Sequence, residues 1–579
     1  MVFRWRSFAA LTSGAVIALT GCAGSEGSGS QGQATRSPSA VVPASPTAAP
    51  TPAPSDPVEA ALARMSVREK VGQLFMPVVY GPAADARSDQ NRKSFGVATP
   101  AEAVRRYQVG GVIYFPWADN VKSASQLARM SNDLQRQSPK IPLLIGVDQE
   151  NGIVSRLDGI VTPIPGQMAQ GATRRPADVA DAARVTGEEL RALGIRLNFA
   201  PVADVNVNPR NPVIGVRSFG SDPAAVGRLV AAAIKGYHAA GVASSAKHFP
   251  GHGDTHVDSH TGLPVIEHTR AQWERLDAPP FAAAIKNGVD VIMSAHVVMP
   301  KLDPSGDPAT LSKPILTGLL RDKLGFRGVI STDALDMAGV RKKYGDAEVA
   351  VRAILAGADL LLMPPDVKAA HEAVLKAVES GRVSAARLDE SVRRILRLKQ
   401  SRGVLARPDT VDPERAAQAV NTEAHRAVAQ RVADHAVTLV RKGPLPIQGK
   451  ARFLVVGPNP EALAKPLAAQ SVSLPADGTV PASLAQTAVA QAKRATAVVV
   501  LTRGSSAAQL TLVNALAKSG RPVIAISTGT PYDLPRLRSA KAALATYSTS
   551  PAAMRAAASV IRGTLTPTGR LPVRVPGLR

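Results

Sequence analysis

Residues 224–249 read AAVGRLVAAAIKGYHAAGVASSAKHF. The first seventeen are strong helix formers on an apolar background, and the last eight, 242–249, form a short strand-like run ending in two polar residues and a phenylalanine, Lys247-His248-Phe249. A helix followed at once by a strand of this kind predicts one unit of a parallel sheet with helices packed on it. The same unit recurs outward in both directions, with strand-like runs at 74–79, 111–115, 142–148, 196–205, 289–297, 328–333 and 358–363. Helical stretches such as 177–193 and 347–355 lie between them. Eight repeats predict an α/β fold of the (β/α)8 TIM-barrel type over residues 58–407. Active sites of that fold sit at the C-terminal ends of the strands, and the polar residues fall there. Asp148-Gln149-Glu150 closes the third run, Asp204 the fourth, Lys247-His248 the fifth, His296 the sixth and Thr332-Asp333 the seventh.

Beyond the barrel, further runs at 453–456, 497–502, 523–527 and 542–547 alternate with helices such as 507–518, predicting a smaller α/β sandwich domain over 408–579. The chain of 579 residues carries a net charge of +24, and half of that excess lies after residue 450, where fifteen Lys and Arg face only Glu461, Asp477 and Asp533. That stretch has no histidine and almost no acids, so it is poorly equipped for proton transfer and is expected to give support or surface contact. Basicity of this size raises nucleic acid as a partner, but aromatic residues are only 4% and no zinc-finger or RNP pattern occurs, so no nucleic acid is expected. Hydrophobic content of 45%, charged content of 20% and a mean hydropathy near zero exclude a polytopic membrane protein and a wholly disordered chain.

The N-terminus carries Arg4 and Arg6, then an apolar run over 8–19 that ends in Leu19-Thr20-Gly21-Cys22. This is the layout of a signal peptide, residues 1–21, and its ending resembles a bacterial lipoprotein lipobox. The resemblance implies lipidation of Cys22, the sole cysteine, and a protein exported and lipid-anchored to the outer face of the cytoplasmic membrane, with the bilayer as a partner. Residues 22–57, rich in Pro, Ser and Ala, read as a disordered tether.

The densest unusual segment is KHFPGHGDTHVDSH, residues 247–260. Its four histidines fall every fourth residue, the helical spacing of a zinc pair, but Pro250, Gly251 and Gly253 break a helix and Lys247 opposes a dication, so no metal and no other cofactor is expected. Ser259 as a hydrolase nucleophile lacks the Gly-x-Ser-x-Gly elbow. A glycine-rich loop in which Asp258 orients the His260 imidazole for general acid/base work describes the segment better.

Taken with MSVREKVGQL (65–74), DQE (148–150), NPVIGVRSF (211–219) and STDALDM (331–337), this loop resembles the family 3 glycoside hydrolases, and within them the NagZ-type β-N-acetylglucosaminidases in their two-domain lipoprotein form. The resemblance covers about residues 60–400 and continues more weakly to PTGRLPV (567–573). It implies a retaining exo-enzyme acting on β-linked GlcNAc saccharides of cell-wall fragments; the lopsided charge of the second domain, separately, makes anionic wall polymers an expected further contact. It also implies roles. Asp333 is the nucleophile, with Asp336 as competitor; His260 is the acid/base, oriented by Asp258. Asp148, Arg156, Arg217, Lys247 and His248 bind the sugar, with Glu150 a weaker candidate. Where the family commonly has Gly-Gly-Arg after Asp-x-Glu, this chain has Asn151, Gly152 and Ile153; Asn151 fits only with a negative φ or in the left-handed region that Asn accepts. Alternatives are a family 3 β-glucosidase or β-xylosidase, a GlcNAc phosphorylase, and a non-enzymatic wall-binding lipoprotein.

Overall fold

The computed structural model describes residues 56–578 except 139, 259–261, 407–409 and 505. The signal peptide, Cys22, nearly all of the tether and His260 lie outside the described residues.

All eight expected barrel strands are present: β1 (Phe75–Met76), β2 (Gly111–Ile113), β3 (Leu144–Val147), β4 (Leu197–Asn198), β5 (Ala243–Phe249), β6 (Val291–Ser294), β7 (Val329–Ser331) and β8 (Leu361–Leu362). Strands β2 to β8 follow one another in order, all parallel, with the β7–β8 step carried by a single bridge between Ser331 and Leu360. β8 then pairs with β1, and a bridge between Val78 and Ile113 returns the sheet to β2, closing the barrel. The strands are buried along their whole length, as a sheet with a filled interior and covering helices requires. The quoted unit resolves as Pro223–Ala239, capped by Asp222, followed by β5.

The second domain is a six-stranded sheet in the order β9 (Thr438–Arg441), β14 (Ala542–Ala545), β13 (Val523–Ser527), β12 (Ala497–Thr502), β10 (Phe453–Gly457), β11 (Gln470–Ser473). The four strands anticipated from sequence form its centre. The two edges, β9 and β11, gave no signal, because an edge strand needs little apolar surface and β11 is exposed at three of four positions.

The domains are joined by polar clamps and by a shared core. Glu189 on the barrel helix Pro176–Ala192 accepts from Asn421 N (2.7 Å) and His425 Nδ1 (2.7 Å), and Asp178 on the same helix meets His435 Nδ1 at 2.7 Å. Met168, Ala169 and Ala172 of the barrel segment Gln167–Thr173 are packed inside the second domain's cluster with Leu454, Val456 and Ala436.

A buried cation lies away from the strand ends. Lys399 is 0% exposed, and its ammonium donates to Gln73 Oε1 at 2.7 Å with no carboxylate partner among the described residues. Burial pushes its pKa down to about 7. Because the folded-state value is depressed below that of the unfolded chain, the unfolded state binds more protons between about pH 7 and pH 10, and stability rises with pH in that window. Below it the full burial cost is present. Lys399→Met removes that cost but strands Gln73 Oε1, itself worth about 1–3 kcal/mol. The variant is therefore expected to be more stable than wild type near pH 6, by about 1–2 kcal/mol, and to lose that advantage by pH 9–10. Guanidinium unfolding at the two pH values reads the change; an equal difference at both would show that Lys399 does not titrate.

Candidate active site

The C-terminal ends of β2, β3, β5, β6, β7 and β8 surround a cavity of about 380 Å³. Of the sequence-derived candidates, Asp148, Arg156, Arg217, Lys247, His248 and Asp333 all line it, together with Glu150 and Asp336. Asp258 is half-buried on the loop beyond His252 and does not line it. Among the described residues, none of the second domain lines it.

One wall is an ion cluster. Arg217 grips Glu150 with two hydrogen bonds, Nε to Oε2 at 2.8 Å and Nη2 to Oε1 at 2.7 Å. The Lys247 ammonium bridges Asp148 Oδ1 (2.6 Å) and Glu150 Oε1 (2.8 Å). Burial alone would raise the Glu150 pKa, but the two adjacent cations hold it far below the carboxylate range. Burial likewise opposes the charge on Lys247, and the two carboxylates overcome it and raise its pKa. Glu150, Lys247 and Arg217 are therefore held in their charged forms within the cluster. Glu150, ranked below the others from sequence, is its hub. Removing either cation alone would leave a buried carboxylate underpaired, which is the costly way to break such a cluster.

The loops that hold these side chains are tied by local amides and carboxylates. Asn211 Oδ1 accepts from Val213 N and Ile214 N, its Nδ2 reaches His252 O at 2.9 Å, and the turn so fixed delivers Arg217. Gln149 Oε1 accepts from Arg156 N (3.0 Å) and Leu157 N (3.2 Å), which fixes Arg156 just past the short hairpin formed by Gln149–Asn151 and Val154–Ser155. Asn151, at the bend of that hairpin, has φ +70°, the left-handed conformation asparagine tolerates, and its Nδ2 donates to Thr186 Oγ1 at 3.0 Å. The departure from Gly-Gly-Arg is thus accommodated by the backbone.

Asp204 at the end of β4 organises the histidine loop. Its Oδ1 accepts from the amides of His248 (3.2 Å) and His252 (2.7 Å), and its Oδ2 takes the His248 Nδ1 proton at 2.7 Å. Arg217 Nη2 stands 3.3 Å from His248 Nε2. His252 is buried, which lowers its pKa to about 4 and keeps it neutral. Further along, His268 links Asp277 (Nδ1 to Oδ2, 2.7 Å) and Asp254 (Nε2 to Oδ2, 3.1 Å), and these two carboxylates raise its pKa to about 9. The charged clasp ties residue 254, on the limb leading to Asp258, to residue 268 on the limb that returns. Gly251, at φ +135°, passes so close to Asp277 that a Cβ would stand 2.6 Å from its carboxylate oxygen.

Opposite the ion cluster stands Asp333, just past β7. Burial raises its pKa, but the positive fields of His296, His248 and Lys247 and the Ala334 N–H, 2.8 Å from Oδ1, outweigh that and hold it below the ordinary range. His296 braces the same turn through Nε2 to Ala334 O at 2.8 Å. An ionised carboxylate with fixed orientation, facing a polar cavity, is equipped to attack an electrophilic carbon.

Sequence reasoning missed Phe115 and Trp117, which line the cavity from the loop after β2, and the supporting Gln149. The position of Phe115 at the end of the second run was the available signal. Among the described residues, no group of three or more His, Cys, Asp or Glu is arranged to hold a metal ion.

Comparison with known proteins gives a consistent result. Residues 66–398 match the glycosyl hydrolase family 3 N-terminal domain and residues 436–578 the C-terminal domain of that family. The chain is 39% identical over 387 residues to a beta-hexosaminidase A of Pseudoalteromonas piscicida, covering 61% of this chain and 63% of that protein. It is 33% identical over 401 residues to a beta-N-acetylglucosaminidase/beta-glucosidase of Cellulomonas fimi, covering 67% of each. A solved family 3 beta-N-acetylglucosaminidase from Paenibacillus sp. superposes with a TM-score of 0.78 at 37% identity, over 88% of this chain and 99% of that one.

Proposed function

Since this chain belongs to glycosyl hydrolase family 3, we propose that it is a retaining exo-β-N-acetylglucosaminidase that removes terminal GlcNAc from cell-wall-derived saccharides, exported and held at the membrane through lipidated Cys22. The observation that carries the reading is the opposition of an ionised Asp333 to the Asp148–Lys247–Glu150–Arg217 cluster across one sugar-sized cavity. The names of the Pseudoalteromonas, Cellulomonas and Paenibacillus relatives support the choice of sugar.

In this mechanism an Asp333 oxygen attacks the anomeric carbon as the His260 imidazolium, supported by Asp258, gives its proton to the departing oxygen. A glycosyl ester on Asp333 results. Neutral His260 then takes a proton from water, whose oxygen attacks the same carbon and frees Asp333, so the configuration is retained. Asp148 and Glu150 accept from sugar hydroxyls, while Lys247, Arg217 and Arg156 donate. Arg156 Nε is buried without a hydrogen-bond partner among the described residues and is available to a sugar oxygen.

That no described residue of the second domain lines the cavity favours this reading over a glucosidase that draws its acid/base from that domain. The second domain is left to stability and wall contact. The deciding assay pairs nitrophenyl β-GlcNAc with nitrophenyl β-glucoside. Preferential cleavage of the first, with β-GlcNAc as the first product seen by proton NMR, is expected; an α first product or no cleavage of either would refute the proposal.

A further inference from the structure

Trp117 stands between two cavities. Beside the one described above lies a second of about 370 Å³, and the two share Trp117, Asp336 and Met363 as a common wall. Trp117 is 56% exposed, the most exposed large apolar side chain among the described residues. Its indole is nonetheless fixed. Phe115 stacks against it with centroids 4.9 Å apart and planes 29° apart, Tyr80 lies 6.1 Å away, and the Arg156 guanidinium sits 5.2 Å from the Phe115 ring. The loop beneath is pinned by the buried Asn120, whose Oδ1 accepts from Phe115 N at 2.8 Å and whose Nδ2 donates to Val79 O at 2.6 Å. A large apolar surface held rigid in water is costly unless something covers it.

The rest of the second cavity supplies polar partners. Gln90 and Lys93 project from the helix Asp89–Phe95, and Lys93 has no carboxylate partner among the described residues. Arg341 and Asp346 satisfy each other through two hydrogen bonds of 2.6 and 2.8 Å and so form wall rather than ligand contacts. An aromatic floor with donors and acceptors around it is a site for a ring that has one apolar face and an equatorial rim of hydroxyls.

We propose that this second cavity is the aglycone subsite, receiving the pyranose ring on the leaving-group side of the scissile bond with its apolar face on Trp117 and its hydroxyls toward Gln90 and Lys93. The proposal rests on the reading that the first cavity holds the terminal GlcNAc. It makes the enzyme selective for glycans over small glycosides, because binding energy from a non-reacting ring on Trp117 is used at the reacting bond.

The test measures kcat/KM for two substrates with the same glycone: the β-linked GlcNAc disaccharide, and β-GlcNAc fluoride, whose leaving group is one atom. In Trp117→Ala the disaccharide-to-fluoride ratio is expected to fall about 10- to 100-fold, and in Trp117→Phe to stay within a few-fold of wild type. Lys93→Ala, which is exposed and carries no folding risk, is expected to lower the ratio about 3- to 10-fold. An unchanged ratio in both alanine variants overturns the subsite. Wild-type protein inactive on both substrates would instead overturn the glycosidase reading on which it rests.

Discussion

Asp333→Asn is expected to lower kcat on every β-GlcNAc substrate by about 10⁴-fold or more, the scale seen when a nucleophile or its essential partner is removed. The reason is local. The Asp333 carboxylate is kept ionised by His296, His248 and Lys247 and is oriented by the Ala334 amide, and an amide in its place carries neither the charge nor the nucleophilic lone pair. A slow fluorinated GlcNAc analogue should label Asp333 in wild type, and mass spectrometry locates the label. Asp336, three residues on, is exposed at the edge shared by the two cavities, and a label found there would transfer the nucleophile to it. In Asp333→Gly the vacated space admits azide from the nucleophile's side, so added azide should restore turnover and give the α-azide. Restoration with a β-azide, or none with the label absent, would remove Asp333 from the reaction.

His260→Ala is expected to cost about 10²- to 10⁴-fold on a glycoside with a sugar leaving group, which must be protonated to depart. A dinitrophenyl glycoside needs no proton, so its glycosylation step should slow far less, and a pre-steady-state burst should appear because the second step has lost its base. Equal loss on both substrates without a burst would leave His260 a bracing or binding role. Asp258 acts through His260, so Asp258→Asn should reproduce the same substrate dependence in weaker form and move the alkaline limb of the pH profile, where the acid loses its proton, to lower pH. A change that only lowers stability would do neither.

The barrel was legible because its strands are buried on both faces and so read as short runs of small, branched and apolar residues between helices, and because the polar residue at the end of a run has one place to go. Asp148, Lys247, His248 and Asp333 were found by that rule alone. Arg156 and Arg217 were not; they sit on a hairpin and a turn, and only the resemblance pointed to them. Glu150 was undervalued for a different cause. Its importance lies in pairing with two cations from residues 67 and 97 positions away, and nothing in its own neighbourhood announces that. Trp117 escaped because an exposed tryptophan on a loop carries no periodic signal, and its meaning comes from Phe115 and Tyr80, brought to it by folding. The edge strands β9 and β11 were lost to their own short, solvent-facing composition.

The packing of Gln167–Thr173 inside the second domain has a consequence for how the molecule comes apart. Ile164, Ala182 and Val185 belong to one cluster of that domain, and Met168, Ala169 and Ala172 to the other, although all six are barrel residues. A chain cut after the barrel would leave these six side chains in water, a contiguous sticky surface of the sort that drives aggregation. The two halves of the protein are therefore one cooperative unit, and the catalytic half is not a separable module. The second domain, none of whose described residues lines the cavity, is still tied to its rim. The Gln167 side chain that begins this segment exchanges hydrogen bonds with Val202, at 2.9 Å in each direction, two residues before the carboxylate that organises the histidine loop.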